Sequence, residues 1–247
     1  MENMGQYPNQ IQIHKSPIKY GIPLPDMDDL TPGGNESNVP NSPSSLPIPL
    51  LPRTGSIPRI SGETFVEMIT GHYRDYFDYL YIIDCRFAYE YNGGHIKDAI
   101  NFTSLDSLFN LFFRTIIPNS VIVFHCEFSH NRGPQIASLF RNHDRIMNQQ
   151  NYPFLFYPNI YILDGGYRSF YQQHPDFCEG EYVTMIDQRF KKELIESTTQ
   201  FRLNTEIESQ SALISMPPQL KHQYLMSPCL SAKSPMVSKM LYLLSSP

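Results

Sequence analysis

The stretch Val121-Ile122-Val123-Phe124-His125-Cys126-Glu127-Phe128-Ser129-His130-Asn131-Arg132-Gly133-Pro134 constrains this chain most. Its four apolar residues read as a buried strand. Arg132 to Met147 reads as a helix, with Ile136, Leu139, Phe140, His143 and Met147 stepping by three and four. The loop between them opens on Cys126 and closes on Arg132. A strand, a tight loop and a helix N-terminus together make an anion site, because first-turn amides and the helix dipole favour negative charge. The same dipole and Arg132 stabilise a thiolate at Cys126. Such a thiolate attacks phosphorus in line and forms a phosphocysteine that water then releases. The six amides of Glu127, Phe128, Ser129, His130, Asn131 and Arg132, with the fork of Arg132, are expected to hold the three equatorial oxygens. The departing oxygen needs a proton. With no Trp in the chain, no Trp-Pro-Asp loop can supply it; Glu127 is the first candidate acid and Glu90 the second.

The neighbouring segments predict an α/β layer fold with a mainly parallel central sheet flanked by helices. Ser61 is expected to cap a helix bearing Phe65, Met68 and Ile69. Tyr79 to Asp84 reads as a strand, and Cys85 to Ile96 as a loop with a short helical turn at most. Ser104 or Asp106 starts a helix with Leu108, Leu111 and Phe112. Asn159 to Leu163 is a further strand, followed by a short helix over Tyr167 to Gln173, and Gln188 to Glu196 is a last helix candidate. Catalytic loops of such sheets lie at the carboxyl ends of strands, where Cys126 falls.

Composition matters at the two ends. Of 21 prolines, eleven precede Ile60 and five follow Arg202, so the middle carries the foldable pattern. Residues 1–57 are expected to be a disordered regulatory arm, 58–200 the catalytic domain and 201–247 a largely disordered tail. Four cysteines without metal spacing, and no signal peptide, point to a reducing compartment. No cofactor and no metal are expected. A net charge of −5 argues against nucleic acid as partner, and no apolar run is long enough to span a membrane. A monomer is expected.

Four motifs resemble the M-phase inducer phosphatases, dual-specificity enzymes that activate cyclin-dependent kinases. They are His125-Cys-Glu-Phe-Ser through Arg132-Gly-Pro, Asp84-Cys-Arg-Phe-Ala-Tyr-Glu-Tyr-Asn-Gly-Gly-His-Ile96, Tyr157-Pro-Asn-Ile-Tyr-Ile-Leu-Asp-Gly-Gly-Tyr167 and Gln173-His-Pro-Asp-Phe-Cys178. The resemblance implies a rhodanese-like fold and removal of phosphate from a Thr-Tyr pair on a cyclin-dependent kinase–cyclin complex, in the nucleus and cytoplasm. It implies that Cys85 is a redox partner of Cys126, and that Arg141, Arg145 and Tyr152 dock the folded kinase. Two departures stand out. His130-Asn131 replaces Ser-Glu, which removes an acid expected to help hold Arg132, and Ala88 replaces a Pro, which predicts a looser loop. A weak or inactive phosphoprotein-binding module and a sulfurtransferase are the alternatives; the five residues between Cys126 and Arg132 count against the second. In the two arms Ser16, Thr31, Ser42, Ser227 and Ser234 each precede Pro and are candidates for regulatory phosphorylation. Ser56, between Arg53 and Pro58, is a candidate for a phosphoserine-binding adaptor.

Overall fold

The computed structural model describes residues 46–52, 55–102 and 104–215. Five parallel strands form the main sheet in the order β1-β6-β5-β2-β4: β1 Arg59–Ile60, β2 Tyr79–Asp84, β4 Ile100–Asn101, β5 Ser120–His125 and β6 Asn159–Leu163. A separate antiparallel pair joins β3 Gly94–Ile96 to β7 Cys178–Gly180.

The sheet is covered on both faces, which explains why its strands read as nearly continuous apolar runs. Alternation along each strand divides the core in two. Tyr81 and Ile83 of β2, Ile122 and Phe124 of β5, and Ile160 and Ile162 of β6 face one side. There they pack under α3 (Leu105–Phe113) and α4 (Arg132–Met147). Leu80, Ile82, Val121, Val123, Tyr161 and Leu163 face the other side, with Phe65 and Met68 of α1 (Gly62–Ile69) and Phe170 of α5 (Gly166–Gln173). Ser61 caps α1 by accepting the Thr64 amide at 3.2 Å, and Ser104 caps α3 in the same way through the Ser107 amide.

Besides the short strands β1, β3, β4 and β7, which the sequence reading does not mark, three parts of the fold differ from it. Ala88–Gly93 is a six-residue helix, α2, rather than a loose loop. Ala88 begins it, at a position where Ala and Pro both fit the helical backbone. Residues 46–52 are not a free arm: Leu51 donates its amide to the Arg59 carbonyl at 2.9 Å, and Ile48 and Ile57 are buried in the two halves of the core. The last helix, α6, runs over Lys191–Ser215, so the expected boundary at 200 falls inside it. It lies along α4 and α3, with Leu194 and Thr205 buried and Phe201 packed against the core. Ile195, Leu203 and Ile207 lie exposed on it. Apolar residues in both settings blur the single stripe that periodicity looks for. The remainder of residues 1–57 and 201–247, including Ser16, Thr31, Ser42, Ser227 and Ser234, lies outside the described residues.

Arg141 also takes a different place from the one expected. It is not on a solvated helix face: its guanidinium is buried and bonds Asp144 at 3.1 Å, the Tyr157 carbonyl at 2.6 Å and the Pro158 carbonyl at 2.9 Å. Asp144 in turn accepts the Phe156 and Tyr157 amides at 2.9 and 3.1 Å. The pair therefore fastens the chain entering β6 to α4. Burial pulls Arg141 down to about 10 and pushes the Asp144 carboxyl up, so desolvation outweighs the attraction within the pair. Its value lies in leaving neither charge alone. Arg141→Ala should lower unfolding stability by about 3–5 kcal/mol, because it strands the Asp144 carboxylate. Arg145→Ala, at a half-exposed site, should change it by no more than about 0.5 kcal/mol. Urea unfolding followed by circular dichroism reads both; equal stabilities would place Arg141 back on the surface.

Candidate functional site

β5 is central in the sheet, and the loop from Cys126 to Arg132 leaves its carboxyl end and enters α4. Two anchors shape the loop from outside. The first is the start of α5: the amides of Tyr167 and Arg168 donate to the carbonyls of Cys126 and Glu127 at 2.9 and 3.0 Å. The second is Arg59 of β1, whose guanidinium donates to the Ser129 carbonyl at 2.8 Å and to Asp164 at 2.9 Å. C=O and N–H of a planar peptide point in opposite directions. Pulling these three carbonyls outward therefore turns the amides of Glu127, Phe128 and His130 inward. Ser129 sits at φ 53°, which lets the loop curl back, and its hydroxyl accepts the Cys126 amide at 3.4 Å.

Gly166 is required for this closeness. It has a φ of +64°, and a Cβ there would meet the Cys126 and Glu127 carbonyl oxygens at 2.5 and 2.6 Å.

Arg132 closes the cup. It is buried, and its guanidinium grips Glu90 of α2 through two bonds of 2.5 and 3.0 Å. Burial alone would lower its pKa, but the Glu90 carboxylate outweighs that and holds it well above the usual value. The Phe87 ring lies 4.5 Å from the guanidinium, and the Phe87 amide donates to Glu90 at 3.0 Å. Glu90 thus caps its own helix while fixing the cup's cation. This settles the expectation attached to His130-Asn131: both residues are exposed at the rim, and the acid that holds Arg132 comes from α2 instead. Glu90 is accordingly an orienting carboxylate rather than a free acid.

Glu127 is buried beside Cys126. Tyr182 donates its hydroxyl to one oxygen at 2.5 Å, and the Met185 amide approaches the other at 3.4 Å. Burial pushes its carboxyl above the ordinary range, and the nearby Glu90 adds to this against the bonds from Tyr182 and Met185 and the charge of Arg132. A buried carboxyl whose proton is held more tightly than usual, next to the Cys126 thiol, suits proton donation.

Cys85 follows Asp84 just as Cys126 follows His125, and Asp84 and His125 are register partners in the parallel pair β2–β5. Both thiols are buried and free, and the Cys85 amide donates to the His125 carbonyl at 2.7 Å. Burial pushes the Cys85 thiol well above its usual pKa, and Cys126 and Asp84 push it further. Beneath them Arg86 is fully buried against Asp84, at 2.7–3.0 Å, and over the Tyr167 ring at 3.7 Å. Arg145 bonds Asn142 at 3.5 Å, and Tyr152 is 57% exposed beyond the end of α4; both stay at the surface, away from buried Arg141. Ser56 is exposed. Arg59, Gly166 and Tyr182 were not singled out from sequence. Only the Gly165-Gly166 pair carried a local signal; the other two act across 70 and 55 positions.

Comparisons bear on this region. The rhodanese-like domain family matches residues 68–173. The M-phase inducer phosphatase of Schizosaccharomyces pombe is 47% identical over 134 residues, covering 53% of this chain and 22% of that protein. Human M-phase inducer phosphatase 3 is 39% identical over 165 residues, covering 63% of this chain and 34% of that protein. The chain therefore spans about a fifth to a third of the length of these curated relatives. Among solved structures, a yeast protein tyrosine phosphatase of the rhodanese family aligns with TM-score 0.35 and 19% identity over 51% of this chain and 92% of its own.

The buried imidazole of His125 gives a pH test of the site's foundation. Burial lowers its pKa from 6.5 to about 4, against the pull of Asp84 at 3.8 Å. The unfolded chain therefore binds the proton first. The stabilisation from a neutral His125 is complete above about pH 6.5 and is lost as pH falls towards 4, amounting to about 3 kcal/mol. Denaturant unfolding of wild type and His125→Gln should show a shallower fall in stability for the variant across this window. Parallel curves would mean His125 is not buried neutral.

Proposed function

We propose that this chain, whose rhodanese-like domain is homologous to the M-phase inducer phosphatases, is a cysteine-dependent dual-specificity protein phosphatase. The single observation that carries the reading is the closed cup. Cys126 lies at its floor, Arg132 is clamped by Glu90 at its edge, and the loop's carbonyls are tied outward so that amides face inward. The Cys126 thiolate attacks phosphorus; the S–P bond forms as the P–O bond to the substrate oxygen breaks, and Glu127 gives that oxygen its proton. Water then attacks the phosphocysteine, Glu127 takes the water's proton, and the S–P bond breaks to return the thiolate. Arg132 and the amides meet charge on the equatorial oxygens in both steps.

The relatives' name supports a substrate that controls entry into M phase, and the proposed one is a phosphorylated Tyr or Thr of a cyclin-dependent kinase bound to its cyclin. Half-exposed Arg145 on α4 and exposed Tyr152 beyond its end are the proposed docking residues; Arg141, buried against Asp144, is not proposed as one. Cys85 is the proposed disulfide partner of Cys126 under oxidation, supported by the β2–β5 register. Exposed Ser56 remains the proposed adaptor site, and action in nucleus and cytoplasm follows from the proposed substrate.

Phosphate release from a kinase peptide phosphorylated on adjacent Thr and Tyr tests the reading. Wild type should release phosphate in a vanadate-sensitive way and Cys126→Ser should not. Arg132→Lys should lower kcat roughly 100- to 1,000-fold. Glu90→Gln should lower it less, since the guanidinium stays but loses its clamp. Absence of vanadate-sensitive release by wild type would overturn the assignment.

A further inference from the structure

Glu127 is held from a segment remote in sequence. Tyr182 and Met185 reach it across 55 and 58 positions, and the Tyr182 bond of 2.5 Å is much the closer. That segment has its own anchors. β7 pairs with β3, and the Glu181 amide donates to the Gly93 carbonyl at 2.7 Å. The Tyr89 hydroxyl donates to the Met185 carbonyl at 2.5 Å, and Val183 is buried with Tyr89 and Leu194. The Tyr182 ring itself stands 6.0 Å from Tyr167 and 6.1 Å from Tyr171. Its hydroxyl is therefore delivered to Glu127 by a frame anchored chiefly on β3, α2 and the start of α6.

We propose that Tyr182 is a positioning residue of the reaction: its hydroxyl holds the Glu127 carboxyl at the edge of the cup and, by donating to the carboxylate form, sets the pH at which that acid loses its proton. The inference rests on the reading of Glu127 as the proton donor. Cys126 directly precedes Glu127, and other charged or titratable groups reach it from the elements packed around the loop. Glu90 and Tyr89 come from α2, Arg132 from α4 and Tyr182 from beyond β7, while Arg168 of α5 faces Tyr182. Of these, Arg132 is committed to Glu90, which leaves Tyr182 as the close side-chain donor to Glu127. Burial raises the Glu127 pKa and the Tyr182 bond opposes that rise. Tyr182 keeps its own proton throughout; the proton that moves passes from Glu127 to the leaving oxygen and returns from the attacking water.

The test compares kcat–pH profiles of wild type, Tyr182→Phe, Tyr171→Phe and Glu127→Gln on phenyl phosphate, whose leaving oxygen needs a proton, and on p-nitrophenyl phosphate, whose leaving oxygen scarcely does. On phenyl phosphate the wild-type rate should fall at high pH as Glu127 ionises. Tyr182→Phe removes a donor to the carboxylate, so that falling limb should move up by roughly half to one pH unit. Its kcat should drop about three- to tenfold with KM little changed. Glu127→Gln should erase the limb on phenyl phosphate and matter much less on p-nitrophenyl phosphate. Tyr171→Phe, which alters the same ring cluster without touching Glu127, should leave the profile as it was. If Glu127→Gln erases the limb while Tyr182→Phe leaves it in place, or if Tyr171→Phe moves it equally, Tyr182 has no positioning role and the acid assignment still stands. If the limb survives Glu127→Gln, the acid assignment fails and the proposal falls with it.

Discussion

A buried guanidinium facing an equally buried carboxylate is the interaction on which this site depends. Removing Arg132 and Glu90 from water is costly, and two short bonds in a fork geometry are what offset that cost. Neither partner can be lost without stranding the other. The pair also ties α2 to the start of α4, so the cup cannot open without parting two helices. Because Glu90 accepts the Phe87 amide as well, the carboxylate is held by its own helix as well as by Arg132. The guanidinium is thus preorganised for an oxyanion, and little has to reorder when charge develops.

The rest of the site is built outward from that pair. β2 and β5 run in register to Asp84 and His125, which sets Cys85 and Cys126 beside one another at the carboxyl ends of the two strands. Buried Arg86 bonds Asp84 and also reaches the carbonyls of Glu90 and Gly94 at 3.3 and 2.7 Å. One arginine therefore joins the floor of the cup to the helix that carries its clamp. On the opposite side, Gly166 lets α5 press its first amides against the loop's carbonyls. Fixed groups surround Cys126 on each of these sides, so the loop is held in place from outside.

Much of this was legible in the sequence. The strand before Cys126 and the helix after Arg132 come from local periodicity, and α4 spans Arg132–Met147 as the spacing predicts. The caps at Ser61 and Ser104 are likewise local. What escaped is pairing over distance. Arg141 and Arg145 share one helix face by their spacing of four, yet the first meets the Tyr157 and Pro158 carbonyls and is buried. Within α4 only Asp144, three positions on, sets Arg141 apart; the carbonyls that bury it come from the chain entering β6. Glu90 read as a second acid because its partner lies 42 positions away. The length of α6 was missed because its apolar residues fall in both buried and exposed settings.

The measurement that reaches the central claim most directly is rapid acid quench of the protein mixed with a phosphotyrosine peptide, with the trapped phosphate mapped by peptide mass spectrometry. The account predicts a phosphoryl group on Cys126, present only during turnover and missing from Cys126→Ser. A phosphoryl group on any other residue, or turnover with no trapped intermediate at all, would contradict it.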